Sequence, residues 1–192
     1  GVFIEIGLIA NSVYVDFLQF PEIKNVYFHQ SELSDSRAEL LAEIEVYNPC
    51  QEITAICCRV LIDDKVVTTE EQELKAGGNK IKLPFKIRQP KLWWPHGYGE
   101  PWLYSAKIQV LIDNTVTSEF KHEIGLRTIE LITDSDAQGD GSSFYFRVNG
   151  VAVFARGANY LPQDTLLNRT QATHYETLLH DAIDANMNMI RV

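Results

Sequence analysis

Thiols, paired carboxylates and imidazoles are the side chains that could do chemistry, and in this 192-residue sequence their spacing argues against it. Cys50, Cys57 and Cys58 are the only cysteines and cannot all pair within the chain. Cys57 and Cys58, adjacent on a strand, point to opposite faces and make poor disulfide partners. There is no C-x-x-C, and no histidine stands near them at zinc-ligand spacing. Buried free thiols are therefore expected, with no metal site and no cofactor. Asp63-Asp64 reads as a turn, not an acid/base couple, and Glu70-Glu71-x-Glu73 as a solvated strand face. His122 falls in an expected strand, at a surface or core position, while His174 and His180 fall on the outer surface of an expected helix. Trp93 and Trp94 could stack on the apolar face of a sugar. Adjacent side chains diverge, however, and Pro95-His96-Gly97-Tyr98-Gly99 reads as a bent corner packed between domains. Asn168-Arg169-Thr170 fits the N-glycosylation acceptor pattern, which ten asparagines would produce about once by chance.

The elements around these residues are mostly strands. Ser12–Phe20, Val26–His29, Glu39–Tyr47, Ile53–Ile62, Lys80–Ile87, Leu103–Ile112 and Thr115–Ile124 are rich in Val, Ile, Tyr and Phe. In Lys80–Ile87 the residues Ile81, Leu83, Phe85 and Ile87 share one face at period two. Asp63-Asp64-Lys65, Gly77-Gly78 and Asp113-Asn114 supply turns between them. About seven short strands in roughly 110 residues predict a mainly β fold, an immunoglobulin-like antiparallel β-sandwich.

The net charge is −9, and residues 1–142 carry all of the excess, with 22 acidic and 13 basic side chains. Such a surface repels phosphate backbones and anionic lipid, so neither nucleic acid nor membrane is an expected partner. No apolar run approaches the roughly 18–20 residues of a membrane span. Gly1-Val2-Phe3-Ile4 reads as the middle of a strand, not as a natural start, so a secretion signal is not visible in it. The polar stretch 134–143 reads as a linker.

Beyond it the pattern changes. Phe144–Val148, Asn149-Gly150 and Val151–Ala155 form a hairpin signature, since Asn-Gly accepts the positive φ of a type I′ turn. Pro162 should end the following strand. Thr173-His-Tyr-Glu176 fits a capping box opening a helix with Tyr175, Leu178, Leu179, Ala182 and Ile183 on one face. Asn186 closes that helix, and Met187–Val192 begins another strand. One βαβ unit cannot cover both faces of its sheet, so the chain reads as cut within a fold.

The segment Leu92-Trp-Trp-Pro-His-Gly-Tyr-Gly-Glu-Pro-Trp-Leu-Tyr104 closely resembles the W-W-P-x-G-Y-G segment of the β-mannosidases in glycoside hydrolase family 2. Ile124–Glu130 resembles that family's strand leaving the sandwich, and Phe146–Pro162 its approach to the catalytic barrel. Leu178–Val192 is similar to the first helix and second strand of the barrel. These four segments occur in family order. The resemblance implies that residues 1–20 end a jelly-roll sugar-binding domain and 21–133 form the sandwich. After the linker at 134–143, residues 144–192 would begin a (β/α)₈ barrel.

It also implies a retaining exo-acting β-glycosidase, most directly one releasing terminal β-mannose, with two carboxylates about 5–5.5 Å apart as nucleophile and acid/base. The family's acid/base follows an asparagine, and no asparagine here precedes a glutamate, so no catalytic residue is assigned and this chain alone is expected to be inactive. In such a barrel the active site lies at the C-terminal strand ends. Asn159 and Tyr160 fall at the end of the first strand and Arg191 at the end of the second, where the family places an arginine in the sugar pocket. These three are the candidate substrate-binding residues. Two have a plainer reading: a capping amide for Asn159, a structural ion pair for Arg191. Gln163 and Asp164 follow on the same face, Asp164 more simply as a cap. Related members act on β-galactosides, β-glucuronides or β-glucosaminides. A free-standing immunoglobulin-like carbohydrate-binding or interaction module is the alternative of a different class. By resemblance the parent enzyme would be periplasmic or secreted in bacteria and lysosomal in animals.

Overall fold

The computed structural model describes residues 18–135, 139–162, 164 and 169–192. The expected jelly-roll segment, the strand at Ser12–Phe20, Gln163 and Asn168 lie outside these residues wholly or in large part. The chain divides into two compact units, one running from Leu18 to Phe154 and the other containing Ala155–Val192.

The larger unit is built on seven antiparallel strands: β1 (Glu22–Leu33), β2 (Arg37–Asn48), β3 (Thr54–Ile62), β4 (Lys65–Leu74), β5 (Gly77–Arg88), β6 (Tyr104–Ile112) and β7 (Thr115–Ile124). They form one sheet in the order β1-β2-β5 and a second in the order β4-β3-β6-β7. This is the expected immunoglobulin-like sandwich. Alternation decides which side chains enter the core. Ala38, Leu40, Ala42, Ile44 and Val46 of β2 meet Ile56, Cys58, Val60 and Ile62 of β3 and Ala106, Ile108 and Val110 of β6 in one cluster.

Outward residues of β2 and β5 alternate in charge so that register pairs opposite signs. Glu39 faces Lys86, Glu43 faces Lys82 and Glu45 faces Lys80, with N···O distances of 2.8, 3.5 and 3.0 Å. The hydrogen bond from Lys86 holds the Glu39 carboxyl below its ordinary range, and that to Glu45 raises the Lys80 ammonium. Pro84 sits on β5, an outer strand, opposite Leu41. Among the described residues one polar side chain is buried in the core. Asn48, at 1% exposure, donates to the Leu74 carbonyl (3.3 Å) and Thr54 Oγ1 (3.1 Å) and accepts from the Cys50 N–H (3.1 Å), tying the end of β2 to the opposite sheet.

Two strands differ from their sequence expectation. β1 extends well past Val26–His29, because irregularities at Ile23/Asn25 and Gln30/Glu32 break its period-two pattern. β4 is a polar outer strand with little hydrophobic alternation to reveal it. Its hairpin to β3 turns through Asp63 (φ 47°) and Asp64 (φ 64°), and that of β6–β7 through Asp113 (φ 48°) and Asn114 (φ 63°), the paired positive φ of type I′ turns.

A smaller sheet completes this unit: β8 (Ile129–Ile132), β9 (Tyr145–Val148) and β10 (Val151–Val153), ordered β10-β9-β8. Asn149 (φ 49°) and Gly150 (φ 78°) make the expected turn. The hairpin expected to open the second domain thus pairs with β8, and the change of unit comes after Phe154 rather than across 134–143.

In the smaller unit, β11 (Gly157–Asn159) pairs in parallel with β12 (Met189–Arg191), and α1 (Ala172–Asp184) lies between them in sequence. Gly157 is required at the pairing. A Cβ there would stand 1.9 Å from the Met189 carbonyl oxygen. The helix starts earlier than the Thr173/Glu176 box predicts: its cap is Gln171, whose N–H donates to His174 Nδ1 (3.0 Å). It ends as expected at Asn186 (φ 56°), with Asn186 N–H bonded to the Ile183 carbonyl and Met187 N–H to that of Ala182. This is the Schellman pattern.

Candidate functional site

Parallel neighbours need a crossover between them, and α1 supplies it, so β11, α1 and β12 form a βαβ unit. Register then determines which residues share a strand end. Asn159 lies opposite Arg191, and the Tyr160 N–H donates to the Arg191 carbonyl at 2.8 Å. The three residues singled out from sequence therefore meet at one place, the C-terminal edge of the parallel pair. The Tyr160 ring packs against Tyr175 of α1 with centroids 6.3 Å apart.

Asn159 and Arg191 are exposed. Among the described residues the Arg191 guanidinium has no ion-pair partner, so the structural ion pair considered for it is not seen there. A cavity of about 370 Å³ opens between the strands and the helix, lined by Asn159, Tyr160, Leu178, Asp181, Met187 and Ile190. The Asn159 amide on the lining of this hollow, and the Arg191 guanidinium at the same strand end, can offer hydrogen-bond donors to a polyhydroxylated ligand or to a carboxylate. Among the described residues no cluster of His, Cys, Asp and Glu is arranged to hold a metal ion.

The tryptophan corner serves a different purpose. The Trp93 side chain lies against Gly125, where a Cβ would come within 3.1 Å of it, and the Arg127 guanidinium covers its ring at 4.7 Å. Trp94 packs against Gly99, and Lys91 Nζ stands 3.7 Å over the Trp102 ring. Each indole already has a partner, which leaves the packing reading and not the sugar platform. The packing joins the sandwich to the small sheet: Asn149 Nδ2 donates to the Trp93 carbonyl (2.9 Å), and Phe154 N–H donates to Tyr98 Oη (3.1 Å). Gly125, Arg127 and the Asn149 side chain were not visible as contributors from sequence, where Asn149 signalled only a turn. The resemblance of Ile124–Glu130 was the one hint.

His96, His122 and His180 are exposed, and His174 caps α1. Cys58 is buried, but Cys50 and Cys57 are only half-buried, correcting the expectation of three buried thiols. Cys57 takes the outward position that strand alternation assigns it beside an inward Cys58.

The family model described as "Glycosyl hydrolases family 2" matches residues 22–127. Beta-mannosidase B of Aspergillus fumigatus is 31% identical over 192 residues, covering 100% of this chain and 22% of that protein. The crystal structure of a β-D-mannosidase from Dictyoglomus thermophilum superposes with a TM-score of 0.79 at 32% identity, covering 90% of this chain and 21% of that one. A putative β-galactosidase from Bacteroides fragilis superposes with a TM-score of 0.75 at 18% identity, a likeness of fold alone. The chain spans about a fifth of the length of these proteins.

Proposed function

The chain belongs to the glycosyl hydrolases of family 2, and we propose that it is part of a retaining exo-acting β-glycosidase that releases terminal β-mannose. In this reading the sandwich is structural, and Ala155–Val192 is the opening of the catalytic (β/α)₈ barrel. The two reacting carboxylates belong to other parts of such an enzyme. The observation that carries the choice of mannose is the 31% and 32% identity to two β-mannosidases over all or nearly all of this chain.

Three residues take part in substrate binding. Arg191 presents a guanidinium at the strand end, able to fork onto a sugar hydroxyl or hold a reacting carboxylate in place. Asn159, its register partner, offers a donor and an acceptor to neighbouring hydroxyls, and Tyr160 walls the pocket. Removing a charged hydrogen-bond donor from substrate costs about 2–3 kcal/mol, or roughly 30- to 150-fold in kcat/KM.

The test is to assay the whole protein that carries this chain on p-nitrophenyl β-D-mannoside, galactoside, glucuronide and glucosaminide. Mannoside is the expected preferred substrate, and Arg191→Ala is expected to lose activity on it by about that factor. Preference for another glycoside replaces the sugar assignment; full activity in Arg191→Ala removes the site assignment. Titrating manno-oligosaccharides against the 192-residue chain by itself should show no saturable binding, whereas saturation would favour the binding-module alternative.

A further inference from the structure

The small sheet β8–β9–β10 has one apolar face. Register aligns Ile129 with Val148 and Val151, and Leu131 with Phe146 and Val153. Of that face only Val148 and Val153 are buried, while Ile129, Leu131 and Val151 stay 55%, 48% and 45% exposed. Two buried valines give the sheet a small hydrophobic hold on the rest of its unit. Directed polar contacts supply the remainder, and they converge on the corner between β5 and β6.

Asn149 brackets Thr128. Its N–H donates to the Thr128 carbonyl (3.0 Å) and its Oδ1 accepts from the Thr128 N–H (2.9 Å). Its Nδ2 reaches the Trp93 carbonyl, whose own N–H is bonded to the Leu126 carbonyl at 2.9 Å. Gly125 and Arg127 clasp the Trp93 side chain and so fix the direction of that carbonyl. At the far end of β10, Tyr98 Oη of the same corner receives the Phe154 N–H. We infer that this corner is a two-point catch: Asn149 closes it at the hairpin turn, Tyr98 at the hairpin's exit, and the small sheet opens as a separate unit when the catch is broken. The inference is independent of the glycosidase reading, because every residue in it lies within Leu18–Phe154.

Hydrogen exchange on the 192-residue chain, read peptide by peptide, tests it. Asn149→Gly keeps the positive φ of the turn and deletes the side chain; Tyr98→Phe removes one oxygen and leaves packing intact. In each variant, peptides covering 128–133 and 144–154 should exchange at least about tenfold faster, while peptides from β2 and β6 keep their rates. Unchanged exchange at 144–154 in both variants overturns the catch. Equal acceleration of β2 and β6 overturns the separate opening, since the sheet would then share the stability of the sandwich.

Discussion

Cys58 faces inward from the middle of β3, and desolvation there, with a smaller contribution from Cys57 beside it, pushes its thiol up to about 12. Native protein at pH 8 should leave Cys58 unmodified by a disulfide reagent while Cys50 and Cys57 react, and denaturant should release the third thiol. The sign of the linkage follows from the raised value. An unfolded thiol loses its proton near pH 9, the folded one only near 12, so the unfolded state binds fewer protons in between and stability falls across that window. Denaturation curves between pH 8 and 11 should show wild type losing stability that Cys58→Ala, at its own lower baseline, does not lose. Alternation alone would have separated Cys57 from Cys58 in advance. Asn48 was not legible in the same way, because its value lies in reaching partners on two other strands and a loop. Nothing in its neighbours along the chain announces that.

Elements were easiest to read where short-range chemistry decides them. Asp63-Asp64, Asp113-Asn114 and Asn149-Gly150 all turn at positive φ as their residue types suggest, and Asn186 closes α1 for the same reason. β4 was harder, since an outer strand with one wet face needs few apolar residues, and β8 draws its pairing from β9 rather than from any pattern of its own. The capping box of α1, Gln171 with His174, stands two residues before the more conventional Thr173 with Glu176. The convergence of Asn159, Tyr160 and Arg191 rested on family likeness, and parallel register supplied the geometry. That register should be sensitive to Gly157→Ala. The added methyl would sit 1.9 Å from the Met189 carbonyl oxygen, so β11 and β12 must part or shift. Amide protection of residues 157–160 and 189–191 is expected to fall sharply, while that of the sandwich is unaltered; retained protection would mean the strands accommodate a side chain after all.

For the molecule as a whole, the sandwich was the most legible part because six β-rich segments and their turns agree with one core. Composition marks a polar loop at 134–143, whereas the strand pairing across that loop is invisible to composition. Cutting at residue 143 would remove β9 and β10 and strip β8 of its partner. A chain trimmed to residues 18–154 should therefore keep amide protection at 129–132, and one trimmed to 18–143 should lose it there while β2 and β6 keep theirs. Equal protection of 129–132 in the two chains would mean that β8 does not depend on β9.

Pro84 has a consequence for association. A proline on the outermost strand leaves that margin one backbone donor short, so a foreign β-segment laid along it would lack a rung where the ring stands. The lysines that flank it on the same strand would add charge to the stacking of identical copies. This margin is protected against fibril growth at the very place where a flat, regular strand would otherwise invite it.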